Sequence, residues 1–469
     1  MKKIFKNNFL LTSTFTFLIL FIILLSFYPA IVCFDGDNQW QQVQSGIITN
    51  AHPFFSTFFM FLLSKIWNSI TSLASFQIVL VSISWGYFCK VIKTNDLKKQ
   101  IIVYLFTTIM LLIPLVSLYS ITIWKDTLYT SYLFLSGVFI YDWSQNNYKI
   151  TKVKSCILGF LLAMVFSYRH NGMIVSLILV FLVLFICIKK YRKKQVDKTN
   201  LKNIFLVFLS FVAVLIIISI PKNMILKESD KKLKKDNKSE ISCSTIDSYM
   251  LWMMGAHIKE NNIKDDDDLE FLNNIIPIEE WKSVYNPYLI NSTNLAENLD
   301  KQYLVDNSSK FEKIFVTYTK KYPNTIFEHY IKADSLLINP LASFSSYVYV
   351  YSYPVMESLP NYTVIKSKIP IVKKFYDKAI EYSFKKPFIM FYQPALIMYL
   401  SLIIAVILAL RVYGKKVWLF CSPMIANTIS LFPINLAQDL RYVYINYFVF
   451  FGLSLMLILN FRDIIKKKK

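Results

Sequence analysis

The sequence predicts an all-α polytopic membrane protein of about ten transmembrane helices, with a mainly helical extracytoplasmic domain inserted between spans 7 and 8. Three observations carry that prediction. Hydrophobic residues make up 55% of the 469, and the mean hydropathy is +0.42, far above the norm for a soluble globular chain. The apolar residues gather into runs close to the ~20 residues a helix needs to cross a bilayer. The formal charge of +22 comes largely from lysines in short runs between those segments. That is the pattern of cytoplasmic loops, so the basicity reads as orientation and no nucleic-acid partner is expected.

The apolar runs lie near 9–32, 73–92, 101–120, 127–142, 155–169, 173–189, 203–221, 388–411, 416–434 and 441–461. The stretch from Pro53 to Trp67 is too short for a comfortable span and carries Lys65. Reading it as a half-embedded helix puts the basic loops at 90–100, 144–154, 189–202 and 411–416 and the basic tail on one side, with both termini cytoplasmic, and leaves the lysine-rich segment Lys227 to Lys238 at the start of the outer region. Residues 1–221 then form an N-terminal membrane module with a first outer loop at 33–72. Residues 222–387 form an extracytoplasmic domain, and 388–469 form the last membrane helices and a basic tail. The start Met-Lys-Lys-Ile-Phe-Lys resembles a secretory signal, but its apolar run is too long and lacks a good cleavage site, so a retained anchor is expected. The six cysteines show no paired spacing; only Cys33 and Cys243 are placed to meet in an oxidising space.

Within the polar region, the acidic run Asp265 to Asp268 lacks the alternating ligands and glycine of a calcium loop and reads as a solvated loop. Short helices are expected at 307–319 and 325–337, and turns at Tyr322-Pro323 and Tyr353-Pro354. Asn291-Ser-Thr and Asn361-Tyr-Thr match the glycosylation sequon.

The assigned topology gathers the remaining ionisable groups at outer span ends: Asp35, Asp37 and His52; Trp124-Lys125-Asp126; Arg169-His170-Asn171-Gly172; and Asp439-Leu440-Arg441-Tyr442. Each motif alone fits an interfacial anchor or a simple ion pair. Charge at a membrane edge is costly unless paired or facing a cavity, so their common side argues for one polar site. A helix opened by Asp35 would carry Gln39 and Gln42 on the same face.

A carboxylate there suits general-base work toward a hydroxyl, and Lys125, Arg169 and Arg441 suit phosphate oxygens. An outer-face enzyme has no access to cytosolic nucleotide sugars, so its donor would arrive on a lipid phosphate. Gln39, His52, Asp126, His170, Asn171 and Tyr442 are candidate supporting residues; His52 also fits a cap for the half-embedded helix. Asp35-Gly-Asp37 offers two carboxylates to a divalent cation, Mg or Mn.

In its first loop, and in Phe34-Asp35-x-x-x-Gln39, Asn50-x-His52-Pro53, Trp124-Lys125-Asp126-Thr127, Arg169-x-Asn171-Gly172 and Arg441-Tyr442, the chain resembles the GT-C superfamily of integral-membrane glycosyltransferases. More narrowly it resembles their uncharacterised bacterial DUF6020-like group, most strongly over 30–175. The resemblance implies a polyprenyl-phosphate-linked sugar as donor and a cell-envelope glycan, lipid or protein as acceptor, in the cytoplasmic membrane of a bacterium. It also implies Asp35 as catalytic base, with Asp37 as the alternative. A transporter or flippase, and a lipid-linked polysaccharide polymerase, are the competing readings. The first should show polar breaks at mid-membrane, the second an outer loop rich in Arg and His.

Overall fold

The structure, a computed structural model, describes residues 8–94, 96–235, 243–341, 366–383, 385 and 388–466. The Asn361 sequon, the Tyr353-Pro354 turn and the end of the basic tail lie outside the described residues. Chain contacts define two compact units, Met1–Lys232 with Val350–Leu431 and Leu440–Lys469, and Leu233–Tyr349 with Phe432–Asp439. Nearly all described structure is helical, and the one sheet is a pair of two-residue parallel strands.

The first unit opens with α1 (Asn8–Ser26), β1 (Ile31–Val32), α2 (Phe34–Ser45), α3 (Phe54–Ile66) and α4 (Ile70–Val91). Then come α5 (Leu97–Leu112), α6 (Pro114–Ile121), β2 (Thr122–Ile123), α7 (Lys125–Gln145), α8 (Lys152–Tyr168), α9 (Gly172–Arg192) and α10 (Lys198–Lys235). The helix α7 is buried on every side, from Asp126 to Ser144 with Asp142 alone partly exposed. A helix apolar all round belongs in a core, and α4 and α8 pack on it.

Among the described residues, five stretches are long and apolar enough to cross a membrane: Asn8–Ser26, Ile70–Val91, Gly172–Arg192, Lys198–Leu233 and Pro394–Leu431. Taken as a pair, α5 and α6 make a sixth, bent by 77°. The run expected as one span at 101–120 breaks there because Pro114 has no N–H to continue the helix and takes its first position. The helix α10 departs from expectation in the other direction. It does not stop near 221 but runs for 38 residues through Pro221, because Met, Leu, Lys and Glu beyond the proline are strong helix formers.

The second unit holds α11 (Thr245–Lys259), α12 (Asp266–Asn273), α13 (Ile278–Val284), α14 (Asn291–Asn294), α15 (Lys301–Asp306), α16 (Ser308–Lys321), α17 (Pro323–Ala333) and α18 (Ser335–Ile338). Its core is built on Leu251, Met254, Leu272, Trp281 and Phe311. The acidic run is not a loop: Asp265 accepts from the Asp268 amide at 3.1 Å and caps α12. The next three carboxylates fill its first turn, where the helix dipole favours negative charge. Residues 432–439 join this unit through Ile290 N to Leu436 O at 2.9 Å and Leu336 N to Gln438 Oε1 at 2.7 Å.

Two buried titratable groups mark the interior of the second unit. His329 Nδ1 meets the Tyr285 hydroxyl at 2.8 Å and its ring lies edge-on to Trp252; burial holds its pKa down at about 4. Asp334 is fully buried, and neither carboxyl oxygen reaches hydrogen-bond geometry. Burial pushes it up to about 7, with Asn435 pulling the other way.

The first unit resumes with α19 (Pro370–Ser383), α20 (Pro394–Leu408), α21 (Val417–Leu431) and α22 (Ile445–Leu459). Helix α21 packs on α7 and α9, and α20 on α22. Cys33 and Cys243 are both free thiols.

Candidate functional site

The site begins with the two short strands. Ile31 pairs with Thr122 and Val32 with Ile123, and a helix starts just after each strand, so the parallel register sets Asp35 beside Lys125. Gly36 permits the approach. A Cβ there would stand 2.3 Å from the Ile123 carbonyl oxygen, so any side chain forces α2 away from β2. Cys33, not Asp35, caps α2: its Sγ accepts from the Gly36 amide at 3.3 Å and donates to the Ile123 carbonyl at 3.4 Å. Burial pushes the thiol up to about 12, which keeps that donor protonated. Asp35 falls in the first turn of α2, where the dipole favours its charge.

Asp35 Oδ2 accepts from Lys125 Nζ at 2.8 Å and from Arg441 Nη1 at 2.7 Å. Arg441 Nη1 is also 4.0 Å from Asp126 Oδ2, and Asp126 Oδ1 is 2.6 Å from Arg169 Nη1. The last pair meets as an ion pair without hydrogen-bond alignment. The result is an alternating row, Lys125–Asp35–Arg441–Asp126–Arg169, of three cations and two carboxylates. Burial works to raise the Asp35 pKa, but Lys125 and Arg441 overcome it and hold the carboxyl well below its usual range.

Aromatic faces enclose the guanidiniums. Tyr442 lies 4.5 Å from Arg169 Cζ and 5.3 Å from Arg441 Cζ; Tyr129 backs Arg169 at 5.4 Å and Trp124 backs Arg441 at 5.5 Å. Such contacts strengthen where water is excluded, and Asp126 is 1% and Arg169 8% exposed. Asn171 Nδ2 donates to Asn427 Oδ1 at 3.3 Å and to Ser430 Oγ at 3.1 Å. Asn427 in turn donates to the Tyr442 carbonyl at 2.9 Å and accepts from the Tyr129 hydroxyl at 2.8 Å. Asn427 thus orients the aromatic wall, and Ser430 helps to hold Asn171 beside it. Their sequence signal was two polar residues three apart inside an apolar run.

His52 does not cap α3, whose N-cap is Pro53 with no side-chain bond. Its Nδ1 is 3.5 Å from Lys125 Nζ and its Nε2 is 3.1 Å from Asn38 Oδ1. Burial and Lys125 hold its pKa at about 4, so the ring is neutral, accepting at Nδ1 and donating at Nε2. Gln39 is buried and donates to Ser56 and Thr57 at 2.7 and 2.9 Å, tying α2 to α3. Gln42 accepts from the Thr49 amide at 2.9 Å, so the two glutamines do not form one free polar stripe. His170 is exposed beside Arg169.

Asp37 stands outside the row. Its Oδ2 accepts from Gln41 at 2.8 Å, and its buried Oδ1 has no hydrogen-bond partner among the described residues. Two residues apart on one helix, Asp35 and Asp37 point about 200° from each other, and Asp35 Oδ2 already carries two cationic nitrogens. The pair therefore fits a shared divalent cation poorly, and among the described residues no three His, Cys, Asp or Glu side chains gather as a metal cage.

No protein-family pattern, curated protein or solved structure matches this chain.

Proposed function

We propose that this protein is a GT-C-type membrane glycosyltransferase that moves a sugar from a polyprenyl-phosphate donor to an extracytoplasmic cell-envelope acceptor. The observation that carries the reading is the Asp35 carboxylate held between Lys125 and Arg441. A carboxylate beside surplus cations joins a proton acceptor to an anion subsite, the two things this reaction needs.

In the step, an acceptor hydroxyl attacks the anomeric carbon while the bond from that carbon to the phosphate oxygen breaks. The electron pair leaves on polyprenyl phosphate, stabilised by Lys125, Arg441 and Arg169, and the acceptor proton goes to Asp35. In the resting row Asp35 is a weak base, because its two cations favour the charged form. A donor phosphate competing for Lys125 and Arg441 raises its basicity, so donor binding arms the base. Asp37 is the alternative base, and no step runs through a metal.

The reading takes ten spans: the five long stretches with Pro394–Leu431 turning back at 409–416, the bent α5–α6 pair, and α7, α8 and α22. It puts both termini in the cytoplasm and the site on the far side of the cytoplasmic membrane. What supports this is the lysine distribution.

The test is a panel of radiolabelled polyprenyl-phosphate sugars offered to the purified protein in lipid nanodiscs. One donor is expected to turn over, with the rate lost in Asp35→Asn. A folded protein that neither binds nor turns over any donor moves the assignment to a transporter.

A further inference from the structure

The loops joining α7 to α8 and α9 to α10 line an open surface pocket of about 520 Å³, bordered by the exposed residues Lys149, Tyr191, Arg192, Lys194, Gln195 and Asp197. We propose that this pocket binds a phosphate ester, carried by the headgroup of an anionic phospholipid. The proposal does not rest on the glycosyltransferase reading.

Both loops are built in the same way. Helix α7 closes with Tyr148 N to Trp143 O at 3.0 Å and α9 with Gln195 N to Lys190 O at 2.9 Å, each bond reaching back five residues. That closure needs left-handed backbone, found at Asn147 (φ 52°), Tyr148 (φ 62°) and Lys194 (φ 54°). Glycine is the usual occupant of such a position, since a Cβ there is strained. A lysine is held at 194 where glycine would be easier, and its side chain lines the pocket.

The walls are pinned. Asn200 Oδ1 accepts from the Ile150 amide at 3.0 Å, and Asn203 Nδ2 donates to the Ile150 carbonyl at 2.7 Å, fixing the loop that carries Lys149 against α10. The pocket's carboxylate is committed elsewhere: Asp197 Oδ1 accepts from the Asn200 amide at 2.8 Å and from its Nδ2 at 2.7 Å, capping α10. Among the described residues, Lys149, Arg192 and Lys194 form no ion pair within 4.0 Å. Three cations are left facing one engaged carboxylate, which is the charge balance of an anion site.

The pocket's place in the fold points to a lipid as carrier. Helix α7 starts at the Asp35–Arg441 row and ends at this pocket, and its 21 residues span about 30 Å, the thickness of a bilayer core. The pocket therefore lies at the opposite membrane edge from the row. Phe185 on α9 and Phe205 on α10, 63% and 55% exposed, lie about two turns inward from it. A phospholipid with its phosphate among the three cations would lay its acyl chains along those rings, and basic pockets at cytoplasmic helix ends suit such headgroups.

The test is native mass spectrometry of the full chain after delipidation, titrated with phosphatidylglycerol or phosphatidylcholine. Wild type is compared with Lys194→Gly and with the Lys149→Gln/Arg192→Gln double variant. Wild type should retain phosphatidylglycerol preferentially, and each cation removed should weaken that retention about fivefold. Lys194→Gly should at the same time raise the melting temperature of the lipid-free protein, because glycine relieves the left-handed backbone. Loss of lipid in a more stable protein cannot come from misfolding. Displacement of the lipid by millimolar inorganic phosphate in wild type, with the same variants insensitive, would support the phosphate chemistry and move its source to soluble esters. Equal retention of both lipids, or unchanged retention in the folded double variant, would overturn the proposal.

Discussion

Arg441 joins Asp35, which lies 406 residues away in the chain, to Asp126: one nitrogen, Nη1, is 2.7 Å from the first carboxylate and 4.0 Å from the second. A lysine ammonium is a point charge without the guanidinium's planar fork or its stacking on Trp124 and Tyr442. If the proposed donor site is right, Arg441→Lys should weaken donor binding about tenfold, and in any case it should lower the thermal midpoint, read by donor titration and by melting curves. Unchanged values in both would mean that the bridge carries charge alone.

On the glycosyltransferase reading proposed above, Asp35 and the donor phosphate compete for the same two cations. Asp35→Asn removes the competitor together with the base, so it should bind donor more tightly while transfer falls about a hundredfold or more. Asp37→Asn should keep transfer near the wild-type rate, since Asp37 contacts Gln41 and no member of the ion row. Loss of transfer in Asp37→Asn with Asp35→Asn still active would reverse the two assignments.

Gly36→Ala puts a methyl group against the Ile123 carbonyl, which belongs to backbone and cannot swing aside. The expected cost is about 1–3 kcal/mol, seen as a lower melting temperature, with transfer reduced because α2 carries Asp35 away from Lys125. A variant as stable as wild type would show that β1 and β2 can separate freely.

In the second unit two buried groups bend stability with pH in opposite directions, so their effects largely cancel between about pH 4 and 6.5. His329 is neutral in the fold with a pKa of about 4 against an ordinary ~6.5. Its contribution is complete above the ordinary value and is lost as pH falls toward 4. Asp334 runs the other way: its folded pKa is about 7 against an ordinary ~3.9. Its contribution is complete below that ordinary value, falls as pH rises from there, and is fully lost above about 7. Asp334→Asn should remove that loss, which accrues between about pH 4 and 7 at roughly 1 kcal/mol per pH unit. Hydrogen exchange over residues 245–337 at pH 5, 6.5 and 8 would show it as greater protection at pH 8, whereas unchanged protection would mean that Asp334 is charged in the fold.

Much of the site was legible because charge at the end of an apolar run is rare and conspicuous. Asp35, Lys125, Asp126, Arg169 and Arg441 could be named from the sequence on that ground. Their order in the row could not, because it depends on a register of two residue pairs between β1 and β2 and on the contact between Asp35 and Arg441, 406 residues apart. Gly36 and Cys33 carry no charge to draw notice, although one permits the strand contact and the other caps α2. Trp124 read as an interfacial anchor, and only the position of Arg441 makes it a cation partner. In the second unit the acidic run looked like a loop because four aspartates disfavour a helix interior; a first turn is the one place where a helix welcomes them. The attachment of 432–439 to that unit had no local signal, since it is made by bonds to Ile290 and Leu336 far away in the chain.

The row of alternating charges also sets a timetable. During synthesis Asp35, Lys125, Asp126 and Arg169 are all in place within the first 169 residues, and Asp35 can then pair with Lys125 alone. Arg441 arrives last and locks both carboxylates at once. A chain interrupted before that point would already hold its early apolar helices, yet its row of charges would be open and short of one cation. Arrival of the segment that carries Arg441 is thus the step that turns an open row into a closed one.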